Sequence, residues 1–458
     1  MDTEDLFNMI ENLNNIVWGS GMIFLILCTG LYFTLRIKLF QLTHFKLILK
    51  NTFLSIFKDK STTRSNDKHS ISQFQALSTA LAATMGTGNI IGVATAISIG
   101  GAGAIFWMWL SAFFGMAVIY AENVLGTIYR YKNEKNQWIG GPLAYLDRGL
   151  GCRWLAVVFA IFCILASFGM GNMAQANSIS SAMSSTFNIS PLVTGIVVAI
   201  LVGIIIIGGI KRIGSITQML IPLLSVLYIL ASVIIVLINY KNIPKTFSLI
   251  FNEAFGISAI GGGISGAMVK RAINIGLRRG VFSNEAGLGS SALLHSASDT
   301  KSPELQGMWS IFEVFIDTIV CCTLTALVIL TTGSTSSNLD GVDLVIKAFE
   351  NGLGQYADIF ITVSILLFAF ATLVGWSYCG ESSIRFIFGE SGIKYYKLVF
   401  IFVIIIGATS KISIAWTISD IFNGFMAIPN LVGILLLSNK IKIPNKRIIH
   451  KDRDNNYN

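Results

Sequence analysis

Apolar residues run along this chain in stretches long enough to cross a bilayer, divided by short polar segments. A helical crossing takes about 20 such residues. On that measure the pattern predicts eleven spans, at 17–36, 74–99, 104–129, 154–183, 191–210, 216–238, 257–276, 306–332, 359–387, 396–409 and 416–437. The short alternating segments of a β-barrel are missing. The chain reads as an all-α integral membrane protein.

One span is interrupted. It runs Ala82-Ala83-Thr84-Met85-Gly86-Thr87-Gly88-Asn89, with Ile90-Ile91-Gly92-Val93-Ala94 after it. Two glycines, two threonines and an asparagine at that depth unwind a helix. They offer carbonyls, amides and hydroxyls to a polar solute or ion. With the first span set aside, ten remain, in two groups of five that start at 74 and 257. The second group opens in the opposite orientation. It too opens on glycines, Gly261-Gly262-Gly263-Ile264-Ser265-Gly266. Paired broken helices in inverted halves mark a midplane binding site; the plainer alternative is that glycines only let helices pack closely. The layout expected is an extracellular N-terminus at 1–14, an extra helix at 15–40 and a basic cytoplasmic linker at 41–71. Two five-helix repeats follow at 72–240 and 241–438, then a basic cytoplasmic tail at 439–458.

Composition agrees. The 458 residues are 53% hydrophobic and 12% charged, against about 25% charged in soluble domains, and mean hydropathy is +0.69. The net charge of +9 would suit nucleic acid if it were clustered on a soluble face. With the N-terminus outside, however, 27 of the 33 Lys and Arg residues fall on inner segments. Lys241, Lys245, Lys347 and Lys411 fall outside, and Lys270 and Arg271 fall within a span. The positive-inside rule thus accounts for the charge as topology, with contact to anionic lipid as a by-product and no nucleic-acid partner. The first fourteen residues carry acids and no bases, unlike a cleavable signal. The six cysteines lack metal or redox spacing and read as small buried hydrophobes.

Charges within spans are costly and mark functional candidates, though a hydrogen-bonded structural role is the simpler account of each. Glu122, Glu313 with Asp317, Glu381, and Asp420 with Asn423 are such groups. For Lys270 and Arg271, either the seventh span unwinds and lines water, or its boundary lies elsewhere. Asn172, Gln175 and Asn177 interrupt the fourth span. Thr372 and Trp376 share a face of the ninth; the hydroxyl suits a small alkali cation, and the indole could close a small pocket. No nucleotide-binding loop is present, nor a His pair at metal spacing. A channel and an intramembrane enzyme remain as other classes. The enzyme would need a reactive set, for which Asp317 with Glu313 is the nearest candidate.

The stretch Gly100-Gly101-Ala102-Gly103-Ala104-Ile105-Phe106-Trp107-Met108-Trp109-Leu110-Ser111-Ala112-Phe113-Phe114-Gly115 resembles the signature of the alanine or glycine:cation symporters, the sodium:alanine symporter family. Supporting matches are Gly86-Thr87-Gly88-Asn89, Gly140-Gly141-Pro142, Gly280-Val281-Phe282-Ser283-Asn284-Glu285-Ala286-Gly287-Leu288-Gly289-Ser290, Gly375-Trp376-Ser377-Tyr378 and Ala427-Ile428-Pro429-Asn430. The resemblance implies a leucine-transporter-like (LeuT-like) fold with the extra helix at the N-terminus. It also implies plasma-membrane uptake of alanine or glycine driven by sodium, with no cofactor beyond that coupling ion and no enzymatic activity. By similarity, Thr84, Gly86, Thr87, Gly88 and Asn89 would hold the charged ends of the amino acid, and Gln175 joins them as a substrate-binding candidate. Phe168, Ile273 and Trp376 would wall its side chain, and Thr372 with Thr84 and the carbonyls of the broken span would hold sodium. The Lys270-Arg271 pair departs from the more apolar stretch of that family.

Overall fold

The structure is a computed structural model that describes residues 3–65, 67, 69–256, 264–300, 302–337, 339–410 and 412–443. Gly261, Gly262, Gly263, Lys68, Lys301, Lys411 and the tail from 444 onward lie outside the described residues.

The described chain is almost wholly helical. An N-terminal helix α1 (Thr3–Val17) bends at Trp18-Gly19 into α2 (Ser20–Arg36). The interrupted crossing follows as α3 (Gln73–Thr84) and α4 (Ile91–Gly100), then α5 (Gly103–Tyr129). The next crossing is α6 (Arg153–Phe168) continued by α7 (Ala174–Phe187) through a π-helical turn at Gly169–Met173. After α8 (Pro191–Ile206) and α9 (Gly209–Ile238) comes a second interrupted crossing, α10 (Ile264–Asn284) and α11 (Ser290–His295). A π-helical segment, Phe315–Cys322, joins α12 (Pro303–Val314) to α13 (Thr323–Thr331). The chain closes with α14 (Ala357–Phe388), α15 (Ser391–Thr409) and α16 (Ile412–Leu436).

Among the described residues, eight helical segments are long and apolar enough to cross a membrane, and α4 and α8 are shorter apolar helices. Exposed Ile196, Ile200 and Ile204 on α8, with Leu223, Leu227 and Leu230 on α9, give the bundle an apolar outer belt. Water does not tolerate so large an apolar surface; lipid does. The multi-pass reading holds.

The seventh span departs from expectation. Its helix runs from Ile264 to Asn284 rather than over 257–276, and Ile264, Ser265 and Gly266 begin it. Lys270 and Arg271 are exposed near its start, so the boundary, not unwinding, explains them. The predicted interruption at 261–266 lies partly outside the described residues; the interruption within them falls at 285–289. Arg278 and Arg279, counted above with an inner loop, sit within α10. There Arg278 pairs with Asp420 of α16, and Arg279 lies over the Trp416 ring at 5.1 Å. Partnered bases can stay in a bundle, so a charge pair read as a boundary was misplaced.

Packing explains how the two interruptions meet. α3 packs on α11 and α4 packs on α10, so the two interrupted crossings run antiparallel. The long α5 lies beside α10, α11 and α12. Glycines permit the close approach. A Cβ on Gly276 would fall 2.3 Å from the Ala104 carbonyl oxygen, and one on Gly280 would fall 2.7 Å from Ser111 Cβ.

Candidate functional site

Each interruption has a local cause. Ser72 and Gln75 form a capping box that starts α3, a device that satisfies two orphan amides reciprocally. Its regular path ends at Thr84. Met85 and Gly86 bend away, a 3₁₀ turn covers Thr87–Asn89, and α4 begins at Ile91. The interruption therefore faces the C-terminal carbonyls of α3 against the N-terminal amides of α4, which suits a cation on one side and an anion on the other.

Gly86 is required here. A Cβ would lie 2.5 Å from Thr372 Oγ1 and 3.2 Å from Gln175 Oε1. Thr372 donates its hydroxyl to the carbonyls of Ala82 at 2.8 Å and Phe368 at 3.1 Å. Gln175 Oε1 accepts from the Thr87 amide at 3.3 Å and the Thr87 hydroxyl at 3.1 Å. Thr84 donates back to Ala80 at 3.2 Å within its own helix. Gly88 meets Phe282 and Ser283 of α10, where a Cβ would find them at 3.5 and 3.6 Å. Asn89 donates from Nδ2 to Asp317 Oδ1 at 2.7 Å, and its carbonyl accepts from Thr325 at 2.8 Å.

Of the residues expected from sequence, Thr84, Gly86, Thr87, Gly88, Asn89, Gln175 and Thr372 thus gather around one break, all buried. Trp376 lies one turn along α14 from Thr372. Its Nε1 donates to Glu285 Oε1 at 2.8 Å, and its Cβ fills the space a side chain on Gly171 would need. Phe168 packs instead on Tyr396 and Phe400 of α15, with ring centroids 5.4 and 6.2 Å away. Ile273 lies ten positions before Ser283, the α10 residue that meets Gly88, about 15 Å along the helix axis. Neither shares the contacts of the first break. Asn172 and Asn177 bond carbonyls of α15 and of the turn after it, and so tie two crossings together.

The second break carries groups that sequence reading passed over. Glu285 (φ 54°), Gly287 (92°) and Gly289 (81°) all lie in the left-handed region, which costs a residue such as glutamate free energy. Glu285 is held there by Ser290 and Trp376. A usable signal was present: Gly287-Leu288-Gly289-Ser290 repeats the spacing of Gly86-Thr87-Gly88-Asn89. Nearby, Ser291 and His295 bond Glu313 at 2.8 and 3.0 Å, and Asn430 donates to Glu122 at 2.5 Å and to the Gly287 carbonyl at 2.8 Å. Glu381 pairs with Arg385 and, at 2.9 Å, with Lys397. These carboxylates act as fasteners between crossings.

Known proteins agree with this architecture. The sequence pattern of the sodium:alanine symporter family matches residues 3–456. The Methanococcus maripaludis sodium/alanine symporter AgcS is 44% identical over 443 residues, covering 95% of each chain. A probable sodium/glutamine symporter, GlnT of Bacillus subtilis, is 37% identical, over 94% of this chain and 88% of that one. Among solved structures, an Eremococcus coleocola manganese transporter superposes with a TM-score of 0.53 at 14% identity, over 85% of each chain. That likeness speaks for the fold alone. On sequence, the chain belongs to the sodium:alanine symporter family and is a membrane transporter, not an enzyme.

Proposed function

We propose that this protein is a sodium-coupled symporter that carries a small neutral amino acid, alanine or glycine, into the cell across the plasma membrane. In this reading the architecture is eleven crossings, an extra N-terminal helix followed by a LeuT-like pair of inverted five-helix repeats. The N-terminus is outside and the C-terminus cytoplasmic. The observation that carries the reading is the meeting of Gly86, Thr372 and Gln175 at the first break, where a side chain is excluded and oxygens converge.

The physical account follows from the two half-helices. The amides at the start of α4 suit a carboxylate. The carbonyls that end α3, with the Gln175 oxygen, suit an ammonium. Thr372 and Thr84 offer hard oxygens beside the same carbonyls, which suits sodium. Bulky walls select a small side chain, since one extra methylene in a tight pocket costs about 1–3 kcal/mol. Trp376, one turn along α14 from Thr372, is one such wall in this reading, and Phe282, which a Cβ on Gly88 would meet at 3.5 Å, is another. Because cation and amino acid bind against shared groups, each favours the other, and the sodium gradient drives accumulation.

The test is uptake of labelled alanine into proteoliposomes with an imposed sodium gradient, with glycine and glutamine as competitors. Sodium-dependent accumulation is expected, and Thr372→Val and Thr84→Val should each abolish it. A proton-coupled cycle is the second reading, favoured by the buried His295–Glu313 pair; uptake that ignores sodium and follows a pH gradient would establish it. A passive facilitator would never concentrate substrate.

A further inference from the structure

The extra N-terminal helix stands outside the ten crossings of the proposed repeat, and the symport reading gives it no task. Its bend is nevertheless built into the bundle. Val17 and Trp18, between α1 and α2, are 8% and 6% exposed. Trp18 Nε1 donates to the carbonyl oxygen of Asp420 on α16 at 2.8 Å. In a helix such a carbonyl already accepts from the amide one turn on. It has a second lone pair, and the indole takes it. Gly424, one turn beyond Asp420, makes the room. A Cβ there would fall 2.2 Å from Val17 Cγ1 and 3.3 Å from Trp18 Nε1. The bend is thus fitted to the turn of α16 that carries Asp420.

A second observation concerns the Asp420 side chain, which is buried and pairs with Arg278 of α10. Long side chains bridge α10 and α16 beside this pair. Phe282 stacks on Trp416 with ring centroids 5.0 Å apart, and Arg279 lies over the same indole. Phe282 also meets the first break, where a Cβ on Gly88 would find it at 3.5 Å. Contacts therefore run from the first break through Phe282 and α10 to α16, and from Asp420 to Trp18. Arg278 precedes Glu285 by seven positions, so the proposed topology places the ion pair on the outer side of the second break. A buried ion pair holds only in good geometry, and separating α10 from α16 has to break it.

We infer that Trp18 of the extra N-terminal segment is a positioning residue for closure over the bound amino acid. Its indole N–H holds the Asp420 turn where the carboxylate meets Arg278. Supporting hydrogen bonds of this kind keep a working side chain within about 0.5 Å of its place. The extra helix thereby sets how firmly α10 and α16 shut. The amino acid is retained while the pair holds and escapes when α10 leaves α16. The inference rests on the symport reading above and gives the N-terminal helix a part in it.

The test uses labelled alanine with the full-length protein, in proteoliposomes for uptake and in lipid nanodiscs for release. Trp18→Phe keeps a ring in place and removes the N–H. It should raise KM for uptake and speed release of bound alanine, each about fivefold, the scale of one lost hydrogen bond, with Vmax kept. Gly424→Ala pushes the bend away without altering the indole and should act in the same direction. In an Arg278→Gln/Asp420→Asn background, which removes both charges, Trp18→Phe should have no further effect. Unchanged KM and release in Trp18→Phe would overturn the inference. So would an equal effect in the charge-free background, or a fall in Vmax alone, which is what a merely structural anchor gives. Alanine binding that ignores sodium would bring down the sodium-coupled reading and leave this comparison standing.

Discussion

At the scale of single residues, two nearby glycines make opposite predictions. Gly86 has no room: its Cβ would press on Thr372 Oγ1 at 2.5 Å, and that hydroxyl is anchored to two carbonyls. Gly92 lies in α4 with only the Thr87 carbonyl oxygen, 4.0 Å away, near its Cβ position. Gly86→Ala should therefore lower uptake by more than about tenfold, since a misplacement of 1 Å at a reacting or binding centre can cost a hundredfold. Gly92→Ala should retain transport and raise helix stability by up to about 1 kcal/mol. Initial uptake rates, normalised to the protein in the membrane, separate the two. The glycine break itself was legible in the sequence, because polar and small residues in an apolar run have no simpler use. Phe168 and Ile273 were not assignable that way. Periodicity says which residues share a face, but not which neighbouring helix that face meets. Phe168 turns out to meet α15.

At the scale of elements, the ends of both interrupted crossings that the proposed topology places inside are tied together. Ile71, just before α3, pairs with the segment after α11: its amide donates to Ala297 at 3.0 Å, and its carbonyl accepts from Asp299 at 2.9 Å. Arg130, at the end of α5, donates to the carbonyls of Ser296 at 2.8 Å, Ser298 and Thr300, and its guanidinium lies 4.1 Å from the Trp138 ring centroid. Inward opening requires this knot to loosen. Arg130→Ala should therefore speed sodium-dependent exposure of a cysteine placed at Ala297 to a thiol reagent from the inner side. It should also lower thermal stability by about 2 kcal/mol or more, the scale of hydrogen bonds from a charged donor. Asp67 adds a weaker tie to Lys132 at 2.7 Å. Lys132, then the His69 amide, hold its carboxyl well below the usual carboxylate range. A depressed acid stabilises the fold above its unfolded pKa of about 3.9 and loses that contribution only as pH falls through the lower folded value. The difference in melting temperature between wild type and Asp67→Asn should thus stay flat from pH 8 to pH 5 and shrink only in stronger acid. The stability difference behind it should stay small throughout, below about 1 kcal/mol, because the pair is near the surface. None of this knot was readable beforehand. It is built from backbone carbonyls gathered by one arginine, and carbonyl positions leave no trace in side-chain pattern.

At the scale of the whole molecule, hydropathy located most crossings because lipid demands long apolar runs whatever the function. It misplaced the crossing that carries α10, where Arg278 and Asp420 neutralise each other inside the bundle and so evade a rule that treats charge as boundary. The pairing of two interrupted crossings was anticipated, but its second interruption was expected at 261–266, and the described one spans 285–289. The orientation rests on the remaining distribution of bases, and it can be tested directly. Glu134 lies in the exposed turn between the paired strands Tyr131–Lys132 and Trp138–Ile139. Lys241 is exposed in the turn after α9, at the opposite end of the bundle in the eleven-span arrangement. In a background with the six cysteines replaced, Lys241→Cys should react with a membrane-impermeant maleimide in intact cells. Glu134→Cys should react only after the membrane is opened. The reverse pattern would invert the topology and place the basic linker outside. It would also reverse which half of each interrupted helix faces the sodium reservoir. Labelling of both sites from the same side would break the alternation of crossings between residues 129 and 243, and with it the inverted repeat on which the proposed transport cycle depends.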